Sequence, residues 1–245
     1  MSGNLGRLQR FRLGDNRRIA MSRAQPNSKQ QEKPSPPPVA PYERAPERRR
    51  RELLEAAVAE FAAHGFAGAR VQVIAERTNS NKALIYSYFG NKQKLYLAVL
   101  EHLYESIRAE EQKLNLSALP PEEALRKLIA FTFDYYVRNP QFVAVINNEN
   151  LHQGRFLAES RRALAVNRPI IETLTEILDR GSAEGCFRPG LDPVDVYFSI
   201  SALGYMYVSN RYTLGIAFGR DLMQPLNLRK RLVTITDMIL RYVRG

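Results

Sequence analysis

The stretch that most constrains this chain is Val71–Lys92, VQVIAERTNSNKALIYSYFGNK. Val71, Ile74, Ala75 and Thr78 fall on one helical face, and Ile85, Tyr88 and Phe89 fall on another. Between the two runs lies Asn79-Ser80-Asn81, residue types that cap helices and form turns. Two helices joined by so short a corner cannot easily pack side by side, so they cross steeply. The second then keeps one face on the protein and one face free. That arrangement is a helix-turn-helix, whose second helix enters a DNA major groove.

The flanking segments supply what such a unit needs. Arg48 to His64 is expected to be helical, with Leu54, Ala57, Val58 and Phe61 recurring at amphipathic spacing. Gly65 should end it and let Phe66 fold back onto Phe61. Arg48–Arg51 are cations at a helix start, where they oppose the dipole. They are expected either to meet phosphate or to form a solvated face. Helix two is placed at about Val71–Thr78 and helix three at about Lys82–Phe89. After Gly90-Asn91 a fourth helix runs from Lys92 to about Leu114, as a connector out of the first domain.

Charge follows the same division. The net charge is +11, and residues 1–92 hold 17 basic against 8 acidic side chains. Phosphate backbones attract such a segment through counterion release. Residues 1–46 contain 7 of the 14 prolines and a basic string of Arg7, Arg10, Arg12, Arg17, Arg18 and Arg23. They read as a disordered basic arm, which either follows phosphates or is a loose tail; Met21 is an alternative start. No run reaches the ~18 apolar residues of a membrane span, and no apolar signal centre follows Met1, so a cytoplasmic protein without membrane partners is expected. Cys186 is the one cysteine, and His64, His102 and His152 are scattered. Nothing points to a disulfide, a metal or a cofactor.

Beyond Leu114 the chain reads all-helical. Helices are expected from Pro121 to Asn139, over about Gln141–Leu151, and from about Phe156 to Ala183 with a bend near Asn167-Arg168-Pro169. Another starts at the Asp192 cap with Pro193 first, broken at Ser209-Asn210-Arg211-Tyr212, and the last covers about Leu228–Arg244. The fold class is therefore all-α: a disordered arm (1–46), a helix-turn-helix domain (47–107) and a larger helical domain (108–245).

Gly65-Phe66, Ile74-Ala75, Asn81-Lys82, Ile85-Tyr86, Tyr88-Phe89, Asn91-Lys92, Leu95 and Ala98-Val99-Leu100 resemble the N-terminal domain of the TetR family of bacterial regulators. The likeness runs over about residues 47–105 without a gap. Two positions depart from it. Ala69-Arg70 stand where the family caps helix two with Ser or Thr, and Asn79-Ser80 stand in place of Gly-Val in the turn. Asn tolerates the left-handed conformation that Gly supplies, whereas Ser80 is expected to weaken the small core.

The resemblance implies a set of DNA contacts: Arg70, Gln72, Asn81, Lys82, Ala83, Leu84, Tyr86, Ser87, Tyr88 and Lys92. Ala83 and Leu84 can meet thymine methyls, Lys82 can donate to guanine and Gln72 can pair with adenine. Tyr86, Tyr88 and Lys92 match phosphate-reaching positions, although both tyrosines could instead be partly core. The resemblance also implies a homodimer on a double-stranded DNA operator, its seam a four-helix bundle supplied by Tyr205, Met206, Ile235, Met238 and Ile239 or by about half of them. It further implies a pocket for a small-molecule effector. Tyr135, Asn147, Asn148, His152 and Arg155 are the candidates, with Phe131, Tyr197, Tyr205 and Tyr207 as walls. The other reading of Asn147–His152 is capping and bridging at the surface, and Arg155 or Arg211 could pair with Glu149 or Asp134. No nucleophile–base pair or phosphate-cradling Gly loop suggests an enzyme. The alternative class is a largely non-specific architectural DNA binder.

Overall fold

A computed structural model describes residues 45–244, and the basic arm up to residue 44 lies outside them. The described residues are helical, with no strand among them. Helix α1 covers Ala45–Gly68, α2 Val71–Arg77, α3 Lys82–Phe89 and α4 Lys92–Gln112. Then follow α5 (Pro121–Arg138), α6 (Pro140–Leu151), α7 (Ala163–Ala183), α8 (Pro193–Ser209), α9 (Arg211–Ala217) and α10 (Pro225–Arg244). Short 3-10 turns stand at Leu116–Ala118 and Leu157–Glu159.

The boundaries follow local chemistry. In α1 the helical path breaks at Gly65, whose φ of 65° suits glycine. Phe66 then stacks on Phe61, with ring centroids 6.4 Å apart. The Asn81 side chain caps α3 by accepting from Leu84 N at 2.8 Å, and Asn91 caps α4 by accepting from Lys94 N at 2.9 Å. Asn79 takes the left-handed conformation, at φ 46°. Ser80 does not leave the weak spot expected of it: its N donates to Ala75 O at 2.8 Å and its hydroxyl pairs with Thr78 Oγ1 at 2.8 Å.

The segment expected as one helix from Phe156 is divided. Ser160 ends the 3-10 turn and its Oγ accepts from Arg162 N and Ala163 N, so α7 starts afresh at Ala163. Pro169 lies inside α7. The break expected near Asn210 is present, since α8 ends at Ser209 and α9 begins at Arg211.

The missing cap of α2 is replaced from another helix. Glu60, on α1, is buried and its Oε1 accepts from Arg70 N at 3.0 Å. Arg77 and His64 lie 3.8 and 4.0 Å from its Oε2. This is the bond that the carboxylate of a capping box makes to the N-cap N–H. Glu60→Ala leaves that N–H unpaired and should cost about 1–3 kcal/mol, read as a lowered midpoint in urea with an unchanged slope.

Candidate nucleic-acid interface and internal cavity

Helix α3 stands on α1, α2 and α4 through Ile85 and Phe89, both buried. Lys82, Ala83, Tyr86 and Ser87 are exposed, while Leu84 and Tyr88 are half-buried. One face of an eight-residue rod is therefore anchored and the opposite face is open. Asn81 is exposed, and its Oδ1 is occupied as the cap of α3. On α2, Gln72 is exposed and bonded to Glu76 at 2.9 Å, and the Arg70 side chain is exposed.

Lys92 is half-buried and makes contacts within the chain. It donates to Ala67 O at 3.3 Å, and its ammonium lies 5.1 Å from the Phe66 ring centroid. Burial holds its pKa below the usual lysine range, partly offset by Glu60. The arginine run has internal uses as well. Arg49 Nη2 donates to Thr78 O at 2.6 Å and Asn79 O at 3.1 Å, clamping the corner between α2 and α3. Arg50 lies 5.0 Å over the Phe89 ring.

The polar run Asn147–His152 meets a cavity only in part, through Asn150. Asn148 Oδ1 accepts from Phe66 N at 2.9 Å, and the Tyr96 hydroxyl lies 3.3 Å away. Buried Glu149 accepts from Phe156 N and Leu157 N, both at 2.9 Å. His152 packs edge-on against Phe66 and Phe156, and Arg155 lies 4.5 Å over the Phe156 ring. Asn148, His152 and Arg155 thus join α6 to the end of α1. Asn147 bonds the Tyr205 hydroxyl at 2.8 Å. Arg211 turns back onto Val208 O and the Tyr212 hydroxyl, away from Glu149 and Asp134. Asn148→Ala would leave Phe66 N unpaired at this junction and should lower stability by about 1–3 kcal/mol in denaturant melts.

The cavity of the larger helical part lies elsewhere. A partly open cavity of about 650 Å³ lies among α4, α5, α6, α7 and α8. Tyr104, Tyr136, Phe142, Tyr197, Phe198 and Tyr205 wall it with Ile146, Ile170 and Ile171, and Arg108, Asn150, Asn167 and Ser201 supply polar groups. Of the expected walls, Tyr197 and Tyr205 are there. Tyr135 is buried beside a separate cleft with Leu103 and Arg138, and neither Phe131 nor Tyr207 borders the cavity. Arg108 was missed. Its signal was a charged residue inside the apolar stripe of Leu100, Leu103, Tyr104 and Ile107.

The expected dimer residues divide. Ile235 and Ile239 are buried in the chain's own core, and Tyr205 is half-buried and borders the cavity. Met206 and Met238 are 52% and 47% exposed. Of the twelve large apolar side chains exposed among the described residues, ten lie between Val194 and Tyr242, which locates the exposed apolar surface on α8, α9 and α10.

A helix-turn-helix held rigid by its own caps, with an open face on its second helix, defines a DNA-binding transcriptional regulator. The comparisons with known proteins agree with that class. Residues 53–99 match the family model of bacterial regulatory proteins of the tetR family, and residues 121–239 match the Tetracyclin repressor-like C-terminal domain. The chain is 41% identical over 198 residues to the HTH-type transcriptional repressor NicS of Pseudomonas putida, spanning 81% of this chain and 93% of that one. It is 36% identical over 113 residues to the repressor SCO4008 of Streptomyces coelicolor, spanning 45% and 54% of the two chains. Among solved structures, the transcriptional regulator SCO4942 of Streptomyces coelicolor has the same fold, with a TM-score of 0.60 at 24% identity over 79% of this chain and 97% of that one. AibR, seen with isovaleryl coenzyme A and operator DNA, gives 0.58 at 23% identity over 78% and 97%. The chain belongs to the TetR family.

Proposed function

We propose that the protein is a homodimeric, effector-responsive repressor that acts in the cytoplasm on a palindromic operator. Residues 47–107 read the DNA, and residues 108–245 hold the effector and pair the two copies. Lys82, Ala83, Leu84 and Ser87 face base edges, Gln72 reaches one from α2, and Tyr86, Tyr88, Arg70 and Lys92 serve the phosphates. The observation that carries this reading is the open face of α3 on a buried Ile85–Phe89 footing. Two copies are needed because one short helix reads only a few bases, each good pair discriminating by about 1–3 kcal/mol. A two-fold dimer sets two such helices about one duplex turn apart.

Effector binding in the cavity would act through its differential affinity for two arrangements of the connecting helices. Helix α6 is placed for this role. Phe142, Ile146 and Asn150 border the cavity, while Asn148 of the same helix holds the end of α1. Fluorescence anisotropy with duplexes from upstream of the protein's own gene tests the reading. Expected is tight binding to one palindrome that weakens steeply with salt. Equal affinity for scrambled DNA, or a salt-insensitive curve, would overturn it.

A further inference from the structure

We propose that the large cavity takes a small carboxylate with a flat apolar body, its carboxylate held by Arg108 and its body stacked among the cavity's aromatic rings. Naming that ligand the effector rests on the regulator reading; the site itself does not.

The walls are aromatic and aliphatic, and Arg108 is the single charged group on them among the described residues. Its side chain is buried, the residue being 6% exposed. A guanidinium stays ionised and brings five N–H donors into that site. Two of its three nitrogens are already engaged within the chain. Nη2 donates to the Tyr197 hydroxyl at 2.5 Å, and the guanidinium sits 5.3 Å from that ring's centroid. Nη1 is ion-paired with Glu111 Oε2 at 2.6 Å, and among the described residues Nε has no hydrogen-bond partner. Unspent donors on a buried cation are costly, and a planar carboxylate is the group that matches a guanidinium fork. A cation would be repelled, and a neutral carbonyl would accept only an uncharged, weaker bond. A volume of about 650 Å³ suits a ligand of ordinary small-molecule size.

Glu111 is the counter-ion that such a ligand must displace. It faces a smaller polar pocket, of about 170 Å³, which it shares with Arg108, Gln112, Asn115, Ser117 and Thr173. The other titratable groups near the pair are Tyr104 on α4, Tyr135 and Tyr136 on α5 and Tyr197 on α8, with Glu110 and Arg138 on the flank of Tyr135. Burial raises the pKa of each of these tyrosines, so they stay neutral. Burial also pushes the Glu111 carboxyl up to about 7, against the pull of Arg108. A second carboxylate beside Arg108 raises it further, so ligand binding draws a proton onto Glu111. Affinity should be flat below pH about 7 and fall above it, by up to about tenfold per unit.

The test is calorimetry on the full-length protein with benzoate, phenylacetate and cinnamate against benzamide, phenylacetamide and cinnamamide. At least one acid should bind about tenfold or more tighter than its amide. Arg108→Met alone strands Glu111, so the informative variant is Arg108→Met with Glu111→Gln. It should abolish the acid preference, so that acid and amide bind alike. Glu111→Gln alone should tighten the acids and flatten the pH profile. Amides binding as well as acids, no acid binding at millimolar concentration, or a preference that survives the double variant would each overturn the proposal. Operator anisotropy separates the two readings. Specific DNA binding that no bound acid alters refutes the effector assignment and leaves the regulator. Acid binding without specific DNA binding refutes the regulator and leaves the site.

Discussion

Changing Met206 and Met238 together to glutamate should give a folded monomer that binds the operator at least ~100-fold more weakly. Both side chains are about half exposed in the single chain, so the change removes little from its own core. They sit within the stretch that carries most of the exposed apolar surface, on α8 and α10. Four carboxylates at a two-fold seam would have to be desolvated without partners, which costs more than a seam of ordinary size can return. The loss at the operator follows from geometry, because a monomer addresses one half-site with one copy of α3. Sedimentation velocity should show the halved mass and circular dichroism an unchanged helical content. A dimer that survives the double change would place the seam elsewhere, and a monomer with undiminished operator affinity would refute the need for two copies.

The parts of the fold that were legible from the sequence are those set by neighbouring residues. Asn81, Asn91 and Gly65 fix helix ends within a turn of themselves, and the structure uses all three in that way. The cap of α2 was not legible, because Glu60 reaches Arg70 N from another helix and nothing local distinguishes it from a solvated acid. The cavity was legible only in part for the same reason. Its walls come from five helices spread between Tyr104 and Tyr205, so no spacing rule links them. The Asn147–His152 run looked like a ligand site because polar groups stood beside apolar ones. Joining α6 to α1 needs the same composition, since Asn148 and Glu149 satisfy backbone N–H groups that would otherwise be buried unpaired. In α10 the apolar periodicity gave the inner and outer stripes equal standing. The structure turns Ile235 and Ile239 inward and leaves Val233 and Met238 outside.

Lys82→Glu should lower operator affinity by roughly 100-fold or more in the dimer while leaving the melting temperature unchanged or slightly raised. The two effects have opposite signs because Lys82 is the first residue of α3, directly after the Asn81 cap. A carboxylate there suits the positive end of the helix, whereas a lysine opposes it. The native residue is thus unfavourable for the isolated helix, as the proposed contact with DNA requires. Lys82 is exposed, and it heads the open face on which Ala83 and Ser87 also lie. Reversal replaces an attraction to DNA by a repulsion, once in each subunit, so the penalty is counted twice. Lys82→Ala separates the possible roles. If the ammonium neutralises phosphate, the salt slope should fall by about 1 per subunit and all sequences should weaken alike. If it donates to a guanine, affinity for the native operator should fall more than affinity for a duplex changed at that base, by about 1–3 kcal/mol. A Lys82→Glu dimer that melts like the native protein and still binds its operator at full strength would mean that this face of α3 does not meet DNA.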